Sequence, residues 1–154
     1  MRGASICSGA FAVAFTLDLL TKLFAVAWLA GPSEIIYNDR PHDMAMRLDV
    51  CVVTVGVVYL LERVAVRRGI GRLWAAWVCV GVLVAGTLGN GVSSYLWAAG
   101  VPDFIHVGGG WLWNVADFEI VFGLLGTAAS IVGSAVVAYV RAALLRRSVL
   151  NVIE

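Results

Sequence analysis

The sequence predicts an all-α membrane protein: four transmembrane helices with small extracytoplasmic segments, forming a single integral membrane domain over residues 1–154. Three observations predict it. Of the 154 residues, 61% are hydrophobic and 14% charged, against about 45–50% apolar and about 25% charged in soluble domains. The charges are clustered, and residues 73–102 and 120–140 carry none. Four apolar runs approach or exceed the roughly 20 helical residues that cross a hydrocarbon core of about 30 Å. A water-soluble globule, a disordered chain and a disulfide scaffold are excluded together. The runs are continuous rather than alternating, which argues against a β-barrel.

The first span is predicted at about 3–30. A cleavable signal has an apolar core of about 7–15 residues; this run is twice that, with Asp18 and Lys22 embedded, so a retained span is expected. The second, about 48–66, has an uncharged core of only 12 residues, Val50 to Leu61, and must carry Glu62 and Arg63 by snorkelling. The third covers about 73–97 and the fourth about 115–143. Arg2, Arg63, Arg67, Arg68, Arg72, Arg141, Arg146 and Arg147 fall on one side, and only Arg40 and Arg47 on the other. The positive-inside rule then puts both termini in the cytoplasm. Trp28, Trp97, Trp111 and Trp113 are expected at the outer interface, with Trp74 and Trp77 at the inner one. Gly81, Gly86, Gly89 and Gly91 on the third span suit close helix approach.

Net charge is +1 with no basic stripe beyond the ends of the apolar runs, so no nucleic-acid partner is expected. Cys7, Cys51 and Cys79 lie in apolar runs at unrelated spacing and read as buried thiols. His42 and His106 stand far apart with no third ligand in view. No metal or cofactor is expected.

Ionised side chains near mid-bilayer cost about 2.5–3.5 kcal/mol each, so isolated ones need a reason. Asp18 and Lys22, four residues apart, share a helix face and can neutralise each other; the pair is either structural or faces a substrate groove. Asp103 follows the third span in Val-Pro-Asp-Phe-Ile, and Asp117 opens the fourth in Asn-Val-Ala-Asp. The loop between them is long enough to return one carboxylate to the other. Two carboxylates at an apolar surface tend to share a proton; one then acts as base on a water while the other polarises a carbonyl. The competing reading is an Asn114–Asp117 capping box at a helix N-terminus. If the dyad exists, Asp103 is expected to hold the proton. Glu119 projects from a different helix face and is expected to be solvated at headgroup level rather than to meet a cationic partner. Ser93 and Ser94 lack a base and read as hydroxyls bonding their own helix backbone.

These residues resemble those of the lipoprotein signal peptidase family, also called signal peptidase II, over nearly the whole chain. The resemblance rests on Leu17-Asp18-Leu-Leu-Thr21-Lys22, Gly86-Thr-Leu-Gly89-Asn90, Val101-Pro102-Asp103-Phe104-Ile105 and Asn114-Val115-Ala116-Asp117, in that order relative to four spans. It implies a bacterial cytoplasmic-membrane aspartic endopeptidase whose site opens at the outer face. The substrate it implies is a diacylglyceryl-modified prolipoprotein, cut on the amino side of the lipidated cysteine. Asp103 and Asp117 match the catalytic pair; Asn90, Asn114, Asp18 and Lys22 match site-supporting positions. The family's Asp-Arg pair after the Gly-Asn of the third span aligns with Ser93 and Ser94. Of its Asn-x-Gly-x-x-Phe segment only Asn38 remains, with Arg40 as a candidate replacement cation. Membrane lipid is the expected surrounding partner and a monomer the expected state. The alternative functions are a weak or inactive paralogue that binds lipidated peptides and, from another class, a transporter subunit relaying protons through Asp18 and Lys22.

Overall fold

The structure, a computed structural model, describes residues 2–29, 34–38 and 43–153. The chain is an all-α membrane protein. Helices α1 (Arg2–Trp28), α2 (Asp43–Arg67), α3 (Trp74–Leu96) and α4 (Val115–Ile153) are joined by four short strands at one end of the bundle. All four helices are long and apolar enough to cross a membrane. At 1.5 Å per residue, even the 23-residue α3 spans about 35 Å.

Two boundaries differ from the sequence reading. Helix α2 begins at Asp43, five residues earlier than expected, so Met44 and Arg47 are helical. Helix α4 runs ten residues beyond position 143. Hydropathy marks where a helix enters hydrocarbon, whereas hydrogen bonding sets where it ends, and both helices continue past their apolar stretch.

Helix α3 is the axis. It packs chiefly against α1 and α4 and less extensively against α2, and it is the most buried of the four. Small residues allow this. A Cβ on Gly81 would strike the α1 backbone at Phe11 N, 3.0 Å away, and one on Gly86 would lie 2.8 Å from the Cβ of Glu119 on α4. Away from α3, residues such as Val13, Leu20, Phe24, Val52, Leu125 and Val132 point outward, as an apolar solvent permits. The hydrophobic centre, Val58, Leu73, Ala76, Trp77 and Val80, lies toward the opposite end from the strands. Trp77 is buried there and donates its indole N–H to Glu62 at 2.6 Å. The close approach of Gly3 to its ring covers it.

Strand β1 (Ile36–Asn38) pairs antiparallel with β2 (Val101–Asp103), with Ile36 opposite Asp103 and Asn38 opposite Val101. Strands β3 (Ile105–His106) and β4 (Leu112–Trp113) form a hairpin. Its turn is made by Gly108, Gly109 and Gly110, all at positive φ, a conformation that costs glycine nothing and other residues about 1 kcal/mol or more. With only two or three residues each, these strands leave no readable alternation.

Candidate active site

The site lies where the strands meet the ends of α1, α3 and α4. Strand pairing positions Asp103. Its side chain shares a sheet face with Val101, and Asn38, opposite Val101, reaches it diagonally and hydrogen-bonds its carboxyl. Phe104 N–H donates to Trp113 O at 3.0 Å, so the hairpin folds back immediately after the aspartate and returns the chain to α4.

Asn114 and Asp117 do form a capping box: Asn114 N–H donates to Asp117 Oδ2 at 3.1 Å, and Asp117 N–H donates to Asn114 Oδ1 at 3.3 Å. With its oxygen committed to the cap, Asn114 directs its Nδ2 to Asp103 Oδ1 at 2.6 Å. The capping geometry and the meeting of the two acids are one arrangement, because the buried Asn114 hydrogen-bonds both carboxylates. Asp117 also accepts from Asn90 Nδ2 at 3.0 Å.

Behind this pair lies a buried polar chain. Lys22 donates to Asp18 Oδ2 and to Asn90 Oδ1, each at 2.8 Å, and both ionic side chains are 0% exposed. The other oxygen of Asp18 accepts from Ala116 N–H at 3.0 Å, which satisfies a free donor in the first turn of α4. Asp18 and Lys22 therefore brace the site from behind. Gly89 leaves room for the Asp18 carboxylate, since a Cβ there would lie 3.2 Å from its Cγ and still nearer one oxygen.

Asp103 and Asp117 both line a cavity of about 520 Å³ with Asn38, Arg47, Asn90 and Asn114. Both also line a second, of about 430 Å³, running between α2 and α4 past Val50, Leu83, Thr87 and Leu124. The carboxylates thus sit where a polar space meets an apolar one. Burial pushes the Asp103 carboxyl up to about 6; the negative charge of Asp117 adds to this, while hydrogen bonds from Asn114 and Asn38 act the other way.

Two residues, Arg47 and Glu119, differ from expectation. Arg40 lies outside the described residues, as does His42. Among the described residues the cation that meets the pair is Arg47 of α2, which the sequence marks only as an orientation charge: its Nη1 is 3.7 Å from Asp117 Oδ1, and it lines both cavities. The signal available was that a charge at the start of an apolar helix, at the level of the acids, needs a partner. Glu119 is not solvated. It is 7% exposed beside Gly86, and its Oε2 has no hydrogen-bond partner among the described residues. Close packing at a glycine draws the side chain inward, where an isolated helix would have turned it out. Ser93 and Ser94 bond their own helix, at Gly89 O and Gly91 O. Among the described residues no three His, Cys, Asp or Glu side chains are grouped to hold a metal ion.

Comparison with known proteins adds a second line of evidence. The family described as signal peptidase (SPase) II matches residues 10–133, a stretch that contains every acid and amide named above. The chain is 36% identical over 107 residues to a lipoprotein signal peptidase of Methylorubrum extorquens (strain PA1), covering 67% of this chain and 59% of that protein. It is 33% identical over 134 residues to one of Rhodococcus jostii (strain RHA1), covering 73% and 65%. It is 30% identical over 130 residues to one of Mycobacterium leprae (strain Br4923), covering 74% and 65%. The chain thus spans about three fifths of the length of the curated relatives it matches.

Proposed function

The chain belongs to the signal peptidase II family, and from that premise we propose that it is a membrane aspartic endopeptidase removing signal peptides from diacylglyceryl-modified prolipoproteins. The bond cut is the one on the amino side of the lipidated cysteine. The observation that carries the reading is Asn114, a single buried residue whose side-chain amide holds the Asp103 carboxyl and whose backbone N–H holds that of Asp117, on the wall of one cavity.

The chemistry follows from two carboxyls in unlike surroundings. Asp117, beside the Arg47 guanidinium and hydrogen-bonded by Asn90 and Asn114, acts as the carboxylate base. It takes a proton from a water whose oxygen adds to the scissile carbonyl carbon. Asp103 holds the other proton and gives it to the carbonyl oxygen, so a neutral gem-diol forms. Return of the proton from Asp117 to the amide nitrogen breaks the C–N bond and releases the amine, while a diol hydroxyl returns its proton to Asp103. General acid–base help of this kind contributes about 10²–10⁴-fold. The apolar space between α2 and α4 suits a substrate that arrives sideways from the bilayer with acyl chains attached.

In this reading the protein lies in a bacterial cytoplasmic membrane as a monomer, with both termini in the cytoplasm, the site at the outer face and no cofactor. The test is cleavage of a lipid-modified prolipoprotein by the purified full chain in detergent. Wild-type cleavage, abolished by Asp103→Asn and by Asp117→Asn with peptide binding retained, is the expected result. Binding of lipidated peptide by the wild type without cleavage selects the inactive paralogue instead, a reading to which the serines at positions 93 and 94 lend support.

A further inference from the structure

At the end of the bundle opposite the two aspartates, a cavity of about 500 Å³ opens between the start of α1, the end of α2 and the start of α3. Arg63, Arg67 and Arg72 line it, and none of the three side chains has a hydrogen bond or ion pair among the described residues. One acid, Glu62, shares the wall, but it accepts the Trp77 indole N–H at 2.6 Å, leaving three guanidinium groups against one carboxylate. Tyr59, Val66 and Trp77 make the rest of the wall largely apolar.

The arginines are held in fixed relation. Tyr59, Arg63 and Arg67 are spaced by four and form one stripe of α2. The helix then ends in a Schellman motif: Ile70 N–H donates to Ala65 O at 2.9 Å and Gly69 N–H to Val66 O at 3.1 Å, with Gly69 at φ 70°. Gly71, at φ 110°, turns the chain back so that Arg72 joins the cleft. A charge that served only to orient the chain in the membrane would need no cavity. Arg68, in the same cluster, lines none of it.

We propose that this cleft binds the phosphodiester group of an anionic phospholipid, with Arg63, Arg67 and Arg72 as the phosphate ligands. Guanidinium forks match phosphate oxygens in pairs, and basic pockets between transmembrane helices suit anionic headgroups. The apolar part of the wall takes the glycerol and first acyl carbons, which selects a lipid over free phosphate. A zwitterionic headgroup is disfavoured because its own cation would meet three others.

Native mass spectrometry of the full chain in detergent tests this, with dioleoyl phosphatidylglycerol, dioleoyl phosphatidylcholine and inorganic phosphate as probes. The wild type is expected to retain phosphatidylglycerol about tenfold better than phosphatidylcholine, and equimolar inorganic phosphate is expected not to displace it. Arg63→Gln/Arg67→Gln/Arg72→Gln is expected to lose that preference, and Arg68→Gln to keep it. The corresponding triple Lys variant keeps charge and membrane orientation, so it guards against a folding failure; it is expected to bind at least about threefold more weakly because the fork is lost. Equal retention of the two lipids, triple variants that bind as the wild type does, or an equal loss in Arg68→Gln would overturn the proposal. Displacement by inorganic phosphate would overturn the lipid as ligand.

Discussion

Asn90 donates its side-chain amide to Asp117 at 3.0 Å, and the direction of that bond is dictated from the far side. The carbonyl of the same amide is taken by Lys22 at 2.8 Å, so the NH₂ group has only one way to face. The buried ion pair of α1 thereby sets which hydrogen-bonding group α3 offers to α4. Removing one partner from such a pair is costly, about 3–5 kcal/mol, because the other charge is left uncompensated. Lys22→Met is therefore expected to lower the thermal unfolding midpoint in detergent sharply. Asp18→Leu combined with Lys22→Met is expected to cost less than Lys22→Met alone; a larger loss in the double variant would mean that the pair is not coupled as described.

The surroundings of Asp103 set a pH dependence. Its carboxyl is raised from 3.8 to about 6, chiefly by burial, so the protonated form is present below about 6 and is lost as pH rises through that value. If this proton polarises the scissile carbonyl, kcat/KM should fall as pH rises above about 6, approaching tenfold per unit. A profile rising through pH 6 would assign the proton to the other acid.

The same shift predicts a trade between stability and activity at one position. A carboxyl whose folded-state value lies above its unfolded value is protonated preferentially in the folded protein. Folding is then weakened as pH rises from 3.8 through about 6, and the cost persists above. Asp103→Asn removes a charge that burial disfavours while keeping an oxygen for Asn114 Nδ2. It is expected to be inactive yet more stable than the wild type at pH 8, by no more than about 3 kcal/mol, with the difference vanishing toward pH 4. Thermal melts at the two pH values check this.

Close packing gives a further prediction. A Cβ at Gly86 would lie 2.8 Å from the Glu119 Cβ and 3.0 Å from Ile120 N, and backbone cannot give way as a flexible side chain can. Gly86→Val should separate α3 from α4, destabilise by about 1–3 kcal/mol and disturb the cap at Asn114. Gly133, with nothing within 4 Å, should accept Ala without loss, and comparison of the two melting midpoints decides the matter.

What the sequence made legible follows from what a bilayer demands. Charge-free runs identify the four helices because an unpaired charge in hydrocarbon is expensive. The same cost singles out Asp18 and Lys22. Which face of each helix turns inward was not legible, because helices that are apolar all round carry no polar stripe to read. The inward turn of Glu119 escaped the sequence for this reason. The role of Asn114 was half legible: its spacing to Asp117 reveals the cap, but its bond to Asp103 depends on a hairpin whose strands are two residues long.

Arg47 is the residue that spacing alone hid, and its role is open to a direct test. At 3.7 Å from Asp117, with both side chains partly exposed (29% and 20%), the pair is worth little to folding, about 0–1 kcal/mol. Its effect should fall on activity instead, since on the proposed mechanism the guanidinium supports Asp117 as the base. Arg47→Gln is expected to leave the melting midpoint within about 2–4 °C of wild type while lowering kcat about tenfold, with Arg47→Lys intermediate because a point charge replaces a planar fork. Ser94 lines the same cavity, so Ser94→Arg in the Arg47→Gln background delivers a guanidinium from α3 and should restore part of the rate. A fall in stability without a fall in kcat, or no recovery with the relocated charge, would show that Arg47 serves the helix bundle rather than the acid pair.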